Sequence, residues 1–200
     1  MKHNSSFFIL VSFLCLTFFV GCGTVSKIES AGSDIPFDVS QYSSVTVLDF
    51  ENSAPTKHAE REKIDEHNEK VEIAGRLFAD KIAAELRLRN LFTDITRGPV
   101  EGNSLVIYGK ITRYEEGSAA ARLFIGLGAG SSYFDASVQF KDNLQESDLA
   151  VLKVDKNSWV LGGGLAAGQT VEGYMNEATK KIADQLEEKL MELKNPSTGG

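Results

Sequence analysis

The chain has 200 residues, enough for one domain with short appendages. A formal net charge of −7 argues against a nucleic-acid partner, because neutralising phosphates takes a basic face. The two cysteines, Cys15 and Cys22, both lie near the amino terminus, so the rest of the chain has no thiol to offer.

Lys2 and His3 make a thin positive start, followed by the apolar run Phe7–Val20. That run is shorter than the roughly 20 residues of a spanning helix and suits the core of a signal peptide. It leads into Phe19-Val20-Gly21-Cys22. These residues resemble the bacterial lipoprotein signal, in which a small residue precedes a cysteine that is lipidated and becomes the mature first residue. Phe19 departs from the Leu usual at its place. The resemblance implies a signal peptide over residues 1–21, cleavage between Gly21 and Cys22, and lipid attachment at Cys22. An ordinary secretory signal with a chance cysteine is the alternative. Cleavage would also remove Cys15, leaving no disulfide, thiolate nucleophile or zinc-thiolate site. Gly23 stands where enteric lipoproteins retained in the inner membrane carry Asp. The resemblance therefore implies an outer-membrane anchor facing the periplasm, and multiple acyl chains hold such an anchor stably.

Residues 22–41 are polar, contain Gly, Ser and Pro36, and show no sustained period, so a flexible lipid-anchored tether is expected there. Val45–Phe50 is a β-branched apolar run and predicts a buried strand. Glu51–Lys70 is charged, and its second half should begin a helix in solvent. From Val71 the spacing of Val71, Ala74, Phe78, Ile82 and Leu86 predicts an amphipathic helix ending near Asn90, its stripe widened by Leu77 and Ala83. Phe92–Thr96 is a short strand candidate, ended by Gly98-Pro99.

Leu105–Tyr114 reads as a strand in which Gly109 marks a bulge or a close backbone approach. Ser131–Asp142 alternates: Ser132, Phe134, Ala136, Val138 and Phe140 on one side, Tyr133, Asp135, Ser137, Gln139 and Lys141 on the other. That pattern suits a sheet with one wet face. Leu149–Asp155 is a further strand. The stripe Val171, Tyr174 or Met175, Ala178, Ile182, Leu186, Leu190 and Leu193 predicts a closing helix, with Thr170 as N-cap and a Glu177–Lys181 surface pair. The expected fold is two-layer α+β: a mixed or antiparallel sheet of about five strands with two long helices on one face, in the order β-α-β-β-β-β-α. The domain should span 42–194, with a disordered tail over 195–200.

Leu105–Asp142, with Gly109, Ile111, Gly117-Ser118, Arg122, Gly126, Gly128-Ala129-Gly130 and Asp142, resembles the bacterial lipoproteins that carry domain of unknown function 4410. The turn Asp142–Asp148 lacks the glycine this resemblance leads one to expect. The element order also resembles, more distantly, the periplasmic domain of the curli-secretion lipoprotein and the amino-terminal domain of the Tol-system propeller protein. Fold analogy of this kind carries no function.

Candidate chemistries are sparse. Gly126-Leu127-Gly128-Ala129-Gly130 precedes strand-like alternation rather than a helix and has no Gly-Lys-Ser/Thr, so no nucleotide is expected. His58 and His67 lie too far apart to share a helix face as zinc ligands, and read as solvated. Asp49 has no His or Ser motif with it, and no Gly-x-Ser-x-Gly elbow occurs. Neither cofactor, metal nor catalytic residue is expected. The segment 117–132 is apolar and Gly-rich with one charge, Arg122, and suits either a packed loop or an arm for self-association or a protein partner. Arg122, Gly126, Gly128, Gly130 and Trp159 are the candidate interaction residues; Trp159 could equally close the sheet end. The composition and the resemblance thus imply a non-catalytic envelope interaction module. A subunit of a secretion or pore-like assembly is the second reading, and an uncharacterised enzyme the third.

Overall fold

The computed structural model describes residues 24–32, 37–99, 102–118, 130–157 and 170–194. Seven strands form one sheet: β1 (Thr24–Val25), β2 (Glu29–Ser30), β3 (Ser44–Asn52), β4 (Asp94–Arg97), β5 (Ser104–Glu115), β6 (Tyr133–Asp142) and β7 (Ser147–Asn157). Their order is β1-β7-β6-β5-β3-β4, with β2 also paired to β7. The helices α1 (Arg61–Leu88) and α2 (Val171–Lys194) complete an α+β fold. Strand β3 is parallel to both β4 and β5, and the remaining pairs are antiparallel. The parallel β3–β4 pair requires a crossover, which α1 supplies.

The expected order β-α-β-β-β-β-α holds from β3 to α2, and the apolar stripes explain why. Val71, Ala74, Phe78, Ile82, Ala83 and Leu86 of α1 are buried, as are Tyr174, Met175, Ala178, Ile182 and Leu186 of α2. Phe78 stacks against both Phe50 and Phe134, joining α1 to the sheet. The helices run side by side in one direction, tied by Lys81 to Glu172 and by Arg89 to Asp184 and Glu187. On β6, Phe134, Ala136, Val138 and Phe140 are buried while Tyr133, Asp135, Ser137, Gln139 and Lys141 are half-buried, as the alternation requires. Leu77 is a correction: it sits on the exposed margin of α1, whereas Ala83 is fully buried. Thr170 caps α2 by accepting from the Gly173 amide at 3.1 Å. Glu177 pairs with Lys156 of β7 at 3.1 Å, across elements rather than along the helix with Lys181.

Two glycines act by absence of a side chain. A Cβ on Gly109 would stand 1.9 Å from the Ser137 carbonyl oxygen and 2.8 Å from the Phe50 ring, so the close approach is what this position needs. A Cβ on Gly75 would lie 2.2 Å from the Phe50 carbonyl oxygen, where α1 rests on β3. Strand β3 bulges between Val47 and Phe50, placing Leu48 and Asp49 opposite one residue of β5. Asp49 there pairs with Arg97, which also holds Asp80 at 2.8 Å.

The expected tether over 22–41 is corrected across its described residues, 24–32 and 37–41. Thr24 pairs with Asp155 and Val25 with Val154, and Glu29 and Ser30 pair with Val151 and Ala150. Gln185 of α2 receives the Ile28 amide at 2.7 Å and donates to the Ser26 carbonyl at 2.8 Å. Ile28, Phe37 and Val39 join the core, and Phe37 stacks on Phe140. The stretch is polar because an edge strand alternates, burying only its inward residues, and two paired residues are too few to show a period. At the turn after β6, Glu146 adopts φ 52°, the left-handed conformation a glycine was expected to supply. The Asp142 carboxylate braces that turn by accepting the Gln145 amide at 2.7 Å.

Candidate functional site

Strand directions gather several chain ends at one end of the sheet. Glu115, the last residue of β5, pairs with Tyr133, the first of β6, which pairs with Asn157, the last of β7. Beyond Glu115, the Ser118 amide donates to the Gly130 carbonyl at 2.8 Å, and Gly130 takes φ 70°. The two ends of the Gly-rich segment therefore meet as a hairpin neck on β5 and β6. Ser132 of this neck donates to the Tyr174 hydroxyl at 3.3 Å, which brings the start of α2 to the same end. Asn52 at the end of β3 donates to Asn68 of α1 at 3.1 Å, bringing the first turns of α1 there as well.

Of the candidate processing and interaction residues, only Gly130 lies among the described residues. Gly21, Cys22, Arg122, Gly126, Gly128 and Trp159 fall outside the described residues, as do the segments 119–129 and 158–169 that hold the last four. Both segments leave and return at this end, after Ser118 and before Gly130, and after Asn157 and before Thr170.

The same end carries a cleft of about 510 Å³. His58, His67 and Tyr114 line it, the two imidazoles 6.4 Å apart and His67 6.4 Å from Tyr114. Spacing alone placed the histidines apart; the segment 53–60 brings them together by folding back over α1, held by Lys57 to Glu115 at 3.0 Å. The His67 Nε2 atom is buried without a hydrogen-bond partner. Glu66, Glu115 and Glu116 are balanced by Lys57, Lys63 and Lys70, so the cleft has no strong sign. Next to it, Ile73, Leu77, Val171 and Met175 line an apolar groove of about 540 Å³ between the two helices. Among the described residues no group of three His, Cys, Asp or Glu side chains converges as a metal site. No helix among them is long and apolar enough to cross a membrane.

The open face of the sheet holds the most perturbed acid. Asp135 stands directly opposite Asp155 on β7, and its Oδ1 is buried without a partner. Burial first, and then the Asp155 charge, raise its pKa to about 6, against the pull of Arg113. The Arg113 guanidinium lies 3.4 Å over the Tyr133 ring, a cation–π contact. At the other end of the sheet the Tyr42 hydroxyl donates to Asp142 at 2.6 Å. That bond holds the Asp142 carboxyl below the usual carboxylate range, while burial pushes the Tyr42 phenol up.

This two-layer fold is shared with solved structures of low sequence identity. A PelC dodecamer from Paraburkholderia phytofirmans matches at 14% identity and a TM-score of 0.51, covering 82% of this chain and 96% of that one. A variant PelC dodecamer from the same organism matches at 12% identity and the same TM-score of 0.51, covering 82% of this chain and 97% of that one. A protein of the DUF330 family-model from Xanthomonas campestris is similar at 10% identity and a TM-score of 0.43, over 88% of this chain and 96% of that one. Among curated proteins, none matches. The chain belongs to the family of the domain of unknown function DUF4410, whose model matches residues 45–162.

Proposed function

We propose that the protein is a lipid-anchored envelope lipoprotein that acts as a non-catalytic, self-associating interaction module on the periplasmic face of the outer membrane. The observation that carries this reading is the fold shared with PelC, whose solved forms are dodecamers. The chain carries Val20-Gly21-Cys22 upstream of that fold, which supports acylation of Cys22 after removal of residues 1–21. The dodecameric assembly of the PelC neighbours also supports a second reading, a subunit of a secretion or pore-like assembly.

Both readings meet one experiment. The full chain, extracted in detergent from its native membrane, is crosslinked and its mass measured, and its amino terminus is read by mass spectrometry. A closed oligomer with an acylated Cys22 is the expected result. A monomer at all concentrations overturns the self-association, and an unmodified terminus overturns the anchor. Gly128→Val and Arg122→Ala on the same sample identify whether the Gly-rich segment makes the contact, because a side chain there would hold two backbones apart. Loss of crosslinked species with unchanged melting is the expected outcome for an interaction arm; a lowered melting temperature with unchanged crosslinking marks a packed loop.

A further inference from the structure

The shortness of the link between Cys22 and the sheet limits how the domain can sit on a membrane. A free tether over 22–41 would let the domain turn at will. Instead Thr24 is already paired, opposite Asp155, and only two residues from Cys22. A chain gains at most about 3.6 Å per residue, so Cys22 lies within about 7 Å of Thr24. The polar layer on each side of a bilayer is itself only about 5–8 Å deep, taken as half the difference between total and hydrocarbon thickness. Thr24 cannot be far from the headgroups if Cys22 carries the lipid.

Direction follows from pairing. Strand β1 is antiparallel to β7, so the chain enters β1 from the end at which β7 finishes, with Asp155 two residues short of Asn157. That is the end where Glu115, Tyr133 and Asn157 are aligned and where both helices begin. We propose that this end of the sheet, at Thr24, Glu116 and Asp155, is the face turned to the bilayer, with headgroups as its partner. The inference rests on the lipid anchor at Cys22 proposed above. It places the β6–β7 turn and the carboxyl end of α1 on the side away from the membrane. A sequence fact agrees with it: the two segments between Ser118 and Gly130 and between Asn157 and Thr170 contain one charged residue, Arg122. Uncharged chain is the composition a lipid boundary accepts at least cost.

Free thiols are absent once Cys22 is acylated and Cys15 removed, so single introduced cysteines report position cleanly. Glu116→Cys and Asp155→Cys lie at the proposed face, and both side chains are exposed. Leu88→Cys and Leu144→Cys lie at the opposite end and are 76% and 66% exposed. The native lipoprotein carrying each substitution is labelled with a fluorophore and reconstituted into phosphatidylethanolamine–phosphatidylglycerol vesicles bearing a headgroup nitroxide. Quenching several-fold stronger at 116 and 155 than at 88 and 144 is expected. Equal quenching at the two ends, or stronger quenching at 88 and 144, overturns the proposed face while an acylated Cys22 in the same sample leaves the anchor standing. An unacylated Cys22 in vesicle-bound protein overturns the anchor and this inference together, since the face is defined by where the anchor enters.

Discussion

Tyr42 and Asp142, one hundred residues apart in sequence, show how much one buried bond can hold. Asp142 is 5% exposed, and its carboxylate satisfies both the Tyr42 hydroxyl and the Gln145 amide. Tyr42→Phe leaves that acid short of a donor and should cost about 1.5–3 kcal/mol, the range for hydrogen bonds to charged groups. Chemical denaturation with an unchanged slope would register it, and a loss near zero would mean that water replaces the hydroxyl. Asp135 works in the opposite sense. Its pKa rises from an ordinary 3.8 to about 6, so the folded chain keeps a proton that the unfolded chain has lost. Stability contributed by this site is therefore present in acid and falls as pH rises from about 4 to about 6. Asp135→Asn should flatten that decline and melt higher than the parent at neutral pH, measured by thermal unfolding across this window. An identical pH profile in both proteins would contradict the Asp135 carboxyl, raised first by burial and then by Asp155, as its source.

At the scale of elements, the apolar stripes carry the fold. Phe78 and Leu186 are fully buried on α1 and α2, and Phe78 packs between Phe50 and Phe134. Truncating either to Ala should cost about 2–5 kcal/mol, the transfer loss plus the cavity left behind. Denaturant midpoints of the two variants check this, and losses under about 0.5 kcal/mol would be typical of surface positions instead. The glycine contacts explain why α1 can lie so close to β3: Gly75 lets the helix rest on the Phe50 carbonyl. Gly109 does the same within the sheet, where the Phe50 ring covers the space a side chain would fill.

For the whole molecule, the amino-terminal stretch closes the β7 edge and packs Ile28, Phe37 and Val39 into the core. A domain beginning at Tyr42 should therefore melt well below one beginning at Thr24 and expose β7 as an unpaired edge prone to association. Equal melting temperatures and equal solubility of the two would show that residues 24–41 are only a passenger. With the proposed lipid on Cys22, the same closure would orient the domain, because only Gly23 separates Cys22 from the paired Thr24.

Apolar stripes were enough to find the two helices, alternation to find β6, and a β-branched apolar run to find β3. Gly109 was legible as a bulge or a close approach, of which the structure shows the close approach, and the Gly-rich segment was legible as lying between two strands. What β1 and β2 do was not legible: paired strands of two residues carry no period, and their partner lies more than 100 residues away. The meeting of His58, His67 and Tyr114 was hidden for a related reason, since it depends on an irregular segment folding back on a helix. Sequence alone determined the class of fold, because the apolar patterns of its elements are local. Only the tertiary structure decided which end of the sheet collects the chain ends, because strand direction and pairing are relations between distant residues.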